Sequence, residues 1–345
     1  MRKWWIIGGI VFLALAAGYT GYWFWLAQTF ERNLALWIDQ QKAMGYRISY
    51  TATPPTGFPF SAEVLLTDVD VDSPVGVERW RFTVPSMKLR LAPWQPMILR
   101  IRDSEATPGY RIEWNRDGYG LELSAVGIET AIDLSSGTAP PMVAFDAERL
   151  ELRDGGQLIA GTYQLAGEIV PSSGDASPEG SIEFSFYAFQ LNLFTGPQSQ
   201  QTTKEVYSPS LEGRLIGQIP PGSPREALAR WSTQGGYLDV TNISANPADK
   251  FPPRFEGSAS IALDPQLQPI VAGTVTVHDY VPAIDRAVAD GHMTAAQGTA
   301  TKLWLSAKSE KDNGGFKATL PLTIQDGFVS MGPIKLAPVP KITWR

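Results

Sequence analysis

EVLLTDVDVD (residues 63–72) and WRFTVPSMKLRL (80–91) decide how this chain folds. In the first, Val64 and Leu66 are followed, after a slip, by Val69 and Val71, with Asp68, Asp70 and Asp72 on the other face. In the second, Trp80, Phe82 and Val84 alternate with Arg81, Thr83 and Pro85, then Met87, Leu89 and Leu91 alternate with Lys88 and Arg90. A period of two gives each strand one buried and one wet face, the pattern of an antiparallel sheet. The change of phase at Pro85-Ser86 predicts a bulge.

Downstream the same signal recurs. Strands are predicted over 110–114, 120–124, 128–134, 142–153, 157–169, 181–194, 210–219, 236–243, 254–263, 271–278, 316–324 and 328–336. Asn115-Arg116-Asp117-Gly118, Asp154-Gly155-Gly156 and Gln325-Asp326-Gly327 read as hairpin turns. Three short helices interrupt the strands, at 224–231, 282–289 and 294–307. Ser223 with Glu226, and Thr294 with Gln297, have capping-box spacing, and Pro224 suits a first helical position. The turn-rich loops 171–180 and 195–204 are the places where two lobes would part.

Upstream, residues 28–44 read as a helix that carries Phe30, Leu34, Trp37, Ile38 and Met44 near one stripe, with Gly45 as C-cap. Before it stands IIGGIVFLALAAGYTGYWFWL (6–26), 21 uncharged residues. At about 1.5 Å per residue, a helix of that length crosses the roughly 30 Å hydrocarbon core of a bilayer. Arg2 and Lys3 precede it, so the N-terminus is expected in the cytoplasm; Tyr19, Tyr22, Trp23 and Trp25 crowd the far end, where aromatic rings favour the headgroups. Ala14-Leu15-Ala16 also fits a signal-peptidase site, which leaves cleavage after Ala16 as the alternative. The apolar, aromatic run from Ala17 to Leu26 favours the uncleaved anchor.

The expected fold class is mainly β: a single transmembrane helix, then a large curved antiparallel sheet, open or two-lobed, with a few short helices. The domain reading is 1–26 stub and anchor, 27–45 helical connector, 46–195 N-terminal β-rich lobe and 205–345 C-terminal β-rich lobe. The expected place is the bacterial inner membrane, single pass, with the bulk periplasmic.

The chain has no cysteine, which removes thiol nucleophiles and cysteine metal sites. Its net charge of −6 is the wrong sign for a nucleic-acid binder. His278 and His292 belong to no metal-spacing motif and read as surface residues. There is no nucleophile elbow, P-loop or dinucleotide fingerprint. Asp68-Val69-Asp70-Val71-Asp72 opens like a calcium loop but has Ser73 and Arg79 where glycine and glutamate are needed, so it reads as a solvated strand face. No catalytic residue, metal ligand or cofactor is expected, and the protein is not expected to be an enzyme.

One segment exceeds the needs of a half-buried strand. In 182–194 the apolar set moves from even to odd positions near Tyr187, so both faces carry apolar side chains. Packing in a core explains this; so does the wall of a groove for an acyl chain, with Phe184, Phe186, Phe189, Leu191 and Leu193 as candidate wall residues.

Several short motifs, in order, carry a resemblance: Gly57-Phe58-Pro59-Phe60, Pro93-Trp94-Gln95-Pro96, Trp231 with Gly235-Gly236-Tyr237-Leu238-Asp239-Val240, Gly257 with Ile261-Ala262-Leu263-Asp264, and Leu320-Pro321-Leu322 with Asp326-Gly327 and Gly332-Pro333-Ile334. In that order they resemble an uncharacterised alphaproteobacterial envelope family, domain of unknown function family 2125, across nearly the whole chain. More distantly the layout is similar to AsmA-like envelope proteins, which implies a curved sheet with an apolar inner face that handles lipid. Apart from any kinship, Gly57 permits a turn and Pro59 keeps Phe58 extended, which would aim Phe58 and Phe60 into a core. The expected partners are the inner-membrane bilayer, a lipid or acyl-chain ligand, and other envelope proteins docking on sheet edges; nucleic acid is excluded.

Overall fold

The computed structural model describes the chain apart from residues 1, 75–78, 104–108, 117–118, 136–139, 173–179, 196–201, 221–223, 248–253, 290, 292, 313–314, 333, 340 and 343–345. It begins with α1 (Arg2–Ala43), β1 (Arg47–Ala52), β2 (Ala62–Asp72), β3 (Trp80–Ala92), β4 (Gln95–Asp103), β5 (Tyr110–Arg116), β6 (Tyr119–Val126) and β7 (Glu129–Asp133). Next come β8 (Met142–Ala147), β9 (Arg149–Asp154), β10 (Gln157–Thr162), β11 (Gln164–Pro171), β12 (Ile182–Phe189), β13 (Leu191–Thr195) and β14 (Thr202–Ile216). The chain closes with α2 (Pro224–Thr233), β15 (Tyr237–Pro247), β16 (Arg254–Leu263), β17 (Pro269–His278), α3 (Tyr280–Ala289), α4 (Ala295–Ser306), β18 (Ser309–Asp312), β19 (Gly315–Gln325), β20 (Phe328–Met331) and β21 (Ile334–Pro338). The chain is mainly β, and its strands pair antiparallel.

Two compact units share these elements: Met1–Gly137 with Phe145–Gly156, and Thr138–Ala144 with Gln157–Arg345. This division lies upstream of the 195–204 loop, across which β13 and β14 pair from Leu191↔Tyr207 to Thr195↔Thr202.

In the first unit one uninterrupted helix serves as both apolar stretch and connector. The side chains of Trp23, Leu26, Ala27, Phe30 and Ile38 are buried and Leu34 packs beside them, a stripe at three- and four-residue spacing. Leu26 and Phe30 meet Val64, Leu66, Val69, Val84, Leu89 and Leu91 from β2 and β3. Burying each such side chain is worth about 1.5–3 kcal/mol. The last turn of the apolar stretch is therefore part of the domain core. Trp37 and Met44, expected on the stripe, are 56% and 59% exposed. Trp37 lies a quarter-turn off the 30–34–38 line, and Met44 lies past the helix end. There Gly45 takes φ +97° and Tyr46 N–H donates to the Gln41 carbonyl at 3.2 Å.

β1, β2 and β3 form consecutive antiparallel neighbours. The first half of β3 pairs with β5 and its second half with β4; β4 continues to β7, and β5 to β6 and β9. The bulge expected at Pro85-Ser86 lies one strand away. β2 and β3 keep one register throughout, while β1 against β2 shifts between Ser49 and Thr51. Asp68, level with Pro85, takes φ +54° and absorbs the change of phase. Proline has no N–H to give the ladder, so the irregularity collects at its level. Arg81 donates to both Asp70 oxygens through Nε, at 2.9 and 3.1 Å, and Asp72 lies 3.9 Å from Arg47. The aspartate run is a strand face with arginine partners.

In the second unit the strand order is β11, β12, β14, β15, β16, β17, β19, β20, β21. β13 continues β12 along β14, β10 pairs with β13, and β18 pairs with the start of β19. Thr294 caps α4 in the expected capping box; Ser223 lies outside the described residues. α3 and α4 cover Val277, Ala318 and Leu320. Among the described strands, β1, β4 and β18 are absent from the sequence reading. In β4 the succession Met97, Ile98, Leu99 hides the alternation, and β18 is Ser-Glu-Lys-Asp with no apolar residue. His278 is buried, not at the surface, with Nε2 3.7 Å from Glu256; His292 lies outside the described residues.

Candidate functional site

β12 carries Phe184 and Phe186 on alternate positions, and their rings stack with centroids 5.6 Å apart. Directly paired residues of neighbouring strands share a face. Register therefore extends from Phe186 through Leu211, Ile243, Gly257 and Val275 to Leu320. The adjacent row runs from Phe184 through Gly213, Val240, Ala259 and Gly273 to Leu322. Six strands thus present one face with no polar side chain in either row. Where the rows contain glycine, neighbours close in: a Cβ on Gly213 would stand 2.7 Å from the Phe184 ring.

The opposite face is polar at the same levels. Glu183, Arg214, Asp239 and Ser260 follow one another across four strands, with Arg214 to Asp239 at 3.1 Å and Ser260 to Asp239 at 3.3 Å. A cavity of about 440 Å³ opens on this polar side, where Glu168, Glu183, Glu212 and Arg214 contribute to its lining together with Phe184 and Gly213. Three carboxylates and one arginine already engaged by Asp239 do not suit an acyl chain. Among the described residues no group of His, Asp or Glu is placed to hold a metal ion.

Four of the five candidate wall residues meet on the apolar face. β12 pairs with β14 up to Tyr187↔Ser210, and β13 resumes at Leu191↔Tyr207, one residue out of step. Gln190, at φ +52°, is the extra residue. The bulge turns Leu191 and Leu193 to the side of Phe184 and Phe186. Phe189 falls on the opposite face with Tyr187, and both are exposed, at 42% and 43%. The move from even to odd positions is thus a bulge at Gln190, not a strand with two apolar faces. Sequence reading missed Leu211 and Ile243, which only register brings level with Phe186.

Cover on this face is uneven. Val277, Ala318 and Leu320 lie under α3 and α4, and Trp231 of α2 is buried where its indole donates to the Ile216 carbonyl at 2.9 Å. Ile243 is 50% exposed, and Phe184 and Phe186 are half-buried.

A family profile matches residues 23–340. The chain belongs to the DUF2125 family. The family is described as an uncharacterized protein conserved in bacteria, and its match begins at Trp23, where α1 starts to enter the core. No curated protein and no solved structure matches this DUF2125 chain, so the AsmA-like kinship gains no support.

Proposed function

We propose that this DUF2125 protein is an inner-membrane-anchored, periplasmic protein that holds the acyl chain of a lipid on the apolar sheet face of its second unit. The observation that carries the reading is the row Phe186–Leu211–Ile243. It is apolar across three strands and continuous with the covered core, yet Ile243 remains half in solvent. Contiguous apolar surface of this kind marks a binding site more often than idle surface. Holding a chain requires no reacting group, so the role is binding and not catalysis. α1 supplies the anchor, being long and apolar enough to cross a membrane, and Arg2 and Lys3 favour a cytoplasmic N-terminus.

Native mass spectrometry of the detergent-extracted full chain tests the ligand. Ile243→Asp is expected to keep its melting temperature, because the site is open to water, and to lose most co-purified lipid, because a carboxylate on an apolar wall opposes the chain. A folded Ile243→Asp protein that keeps its full lipid load overturns the reading. Protein partners retained without lipid favour docking on sheet edges instead. A C-terminal reporter that is active only in the cytoplasm overturns the orientation.

A further inference from the structure

The end of the first unit nearest the apolar stretch carries a set of large exposed side chains, with Asp133 as a carboxylate beside Leu134. Register places the chain segments there side by side. Ala62 starts β2 opposite Leu91, Ala92 pairs with Gln95 across the Pro93-Trp94 turn, and Ile98 of β4 pairs with Asp133 at the end of β7. Just beyond these pairs lie Phe58, Phe60, Trp94, Met97 and Leu134, which are 51%, 66%, 63%, 55% and 49% exposed. Phe58 and Phe60 were expected to fill a core. They do not.

The same loops are tied to α1. The Tyr19 hydroxyl donates to the Pro59 carbonyl, the Tyr22 hydroxyl to the Pro93 carbonyl at 2.9 Å, and the Trp23 indole to the Ser61 carbonyl at 2.8 Å. Phe58 stands edge-on to Trp23 with centroids 5.4 Å apart. These contacts fall on the far end of the apolar stretch, and they fix the level of the loops relative to the helix.

Length then decides where that level is. Side chains from Ile7 to Tyr22 are exposed apart from Thr20, and burial in the domain begins at Trp23. From Lys3 to Tyr22 a helix rises about 28 Å, and the hydrocarbon core needs roughly 30 Å. No slack remains for a stalk between bilayer and domain. We propose that Phe58, Phe60, Trp94, Met97 and Leu134 are immersed in the interface of the bilayer that α1 crosses, so that the first unit lies directly on the lipid. Segments 53–61 and 93–97 contain no Asp, Glu, Lys or Arg, so these two loops carry no charge into the headgroups, where aromatic rings prefer to lie. Asp133, beside Leu134, can stay at the headgroup level in contact with water. Singly scattered exposed apolar residues need no explanation. These five occupy one end of one sheet and adjoin the span.

The inference rests on α1 being a membrane span, and the test separates the two. The chain has no cysteine, so Leu13→Cys, Phe60→Cys, Trp94→Cys and Trp37→Cys each give one labelling site. Each full-length variant is labelled with an environment-sensitive fluorophore and reconstituted in phosphatidylcholine vesicles, with or without nitroxide lipid. The nitroxide is near the headgroup for Phe60, Trp94 and Trp37, and at the end of the acyl chain for Leu13, which stands at mid-bilayer. Labels at Leu13, Phe60 and Trp94 are expected to lose more than half their emission to the nitroxide lipid, and the label at Trp37 almost none. Quenching at Leu13 alone overturns the docking and leaves the span standing. No quenching at Leu13 overturns the span and the docking with it. Labels at Phe60 and Trp94 shielded from both nitroxide lipid and aqueous iodide mean that protein covers the patch, and this also overturns the proposal.

Discussion

Tyr110 is a buried side chain with an unusual balance. It packs in the core beside Phe82, with ring centroids 5.8 Å apart, and its hydroxyl has no hydrogen-bond partner among the described residues. Burial, and secondarily the Asp103 charge, hold its pKa well above the ordinary tyrosine range. The folded state therefore keeps its proton where the unfolded chain would lose it. Stability from this group is complete below about pH 10, the unfolded value, and falls as pH rises through the folded value. Tyr110→Phe removes an unsatisfied hydroxyl and should leave stability at pH 7 unchanged or raise it by about 1 kcal/mol. It should also flatten the loss of stability above pH 10. Urea melts at pH 7 and pH 10.5 read both effects, and a loss of more than ~1 kcal/mol at pH 7 would show that the hydroxyl has a partner.

At the scale of elements, a single residue accounts for the change of apolar parity between β12 and β13. Gln190 adopts φ +52° and takes up the one-residue slip against β14. Deleting Gln190 removes the extra residue, so strict alternation from Phe189 keeps Leu191 opposite Tyr207 and leaves Leu191 and Leu193 on the apolar face. The expected result is a protein of close to the parent's stability, because both leucines keep their apolar surroundings. Gln190→Gly is the contrasting change: glycine relieves a left-handed strain of about 1–2 kcal/mol but gives back about 0.4–1 kcal/mol through the freer unfolded chain, so a small net gain is expected. Chemical denaturation of both variants decides the point: a deletion less stable than the parent by a few kcal/mol, on the order of two lost apolar contacts, would mean that Gln190 is not the extra residue. The bulge was legible only as a change of apolar parity along 182–194. A strand with two apolar faces produces the same parity, and only the pairing with β14 separates the two.

For the whole molecule, α1 packs in the domain core and, in the reading proposed above, also crosses the membrane, and truncations should separate those roles. A chain beginning at Tyr22 keeps Trp23, Leu26, Ala27 and Phe30 in their buried places and should fold as a soluble protein. A chain beginning at Leu34 lacks all four, and its melting temperature should fall by at least about 10 °C, since each large core truncation costs about 2–5 kcal/mol. Equal melting temperatures would mean that the helix merely rests on the sheet. The family match from Trp23 agrees with a boundary set by packing.

The sequence alone determined the β class, the apolar helix, the α4 capping box and the Asp326-Gly327 turn, in which both residues take positive φ. These are local properties: a period of two or 3.6, a cap or a turn needs only neighbours within a few residues to declare itself. Tertiary structure alone decided that Leu211 and Ile243 stand level with Phe186, that Phe189 faces the other way, and that His278 is buried. It also decided that Phe58 and Phe60 lie open beside the apolar helix. Each of these depends on strand register or on contacts between distant segments, such as Tyr22 with Pro93. A one-residue shift in pairing reverses every face downstream of it, and no local pattern records which pairing wins.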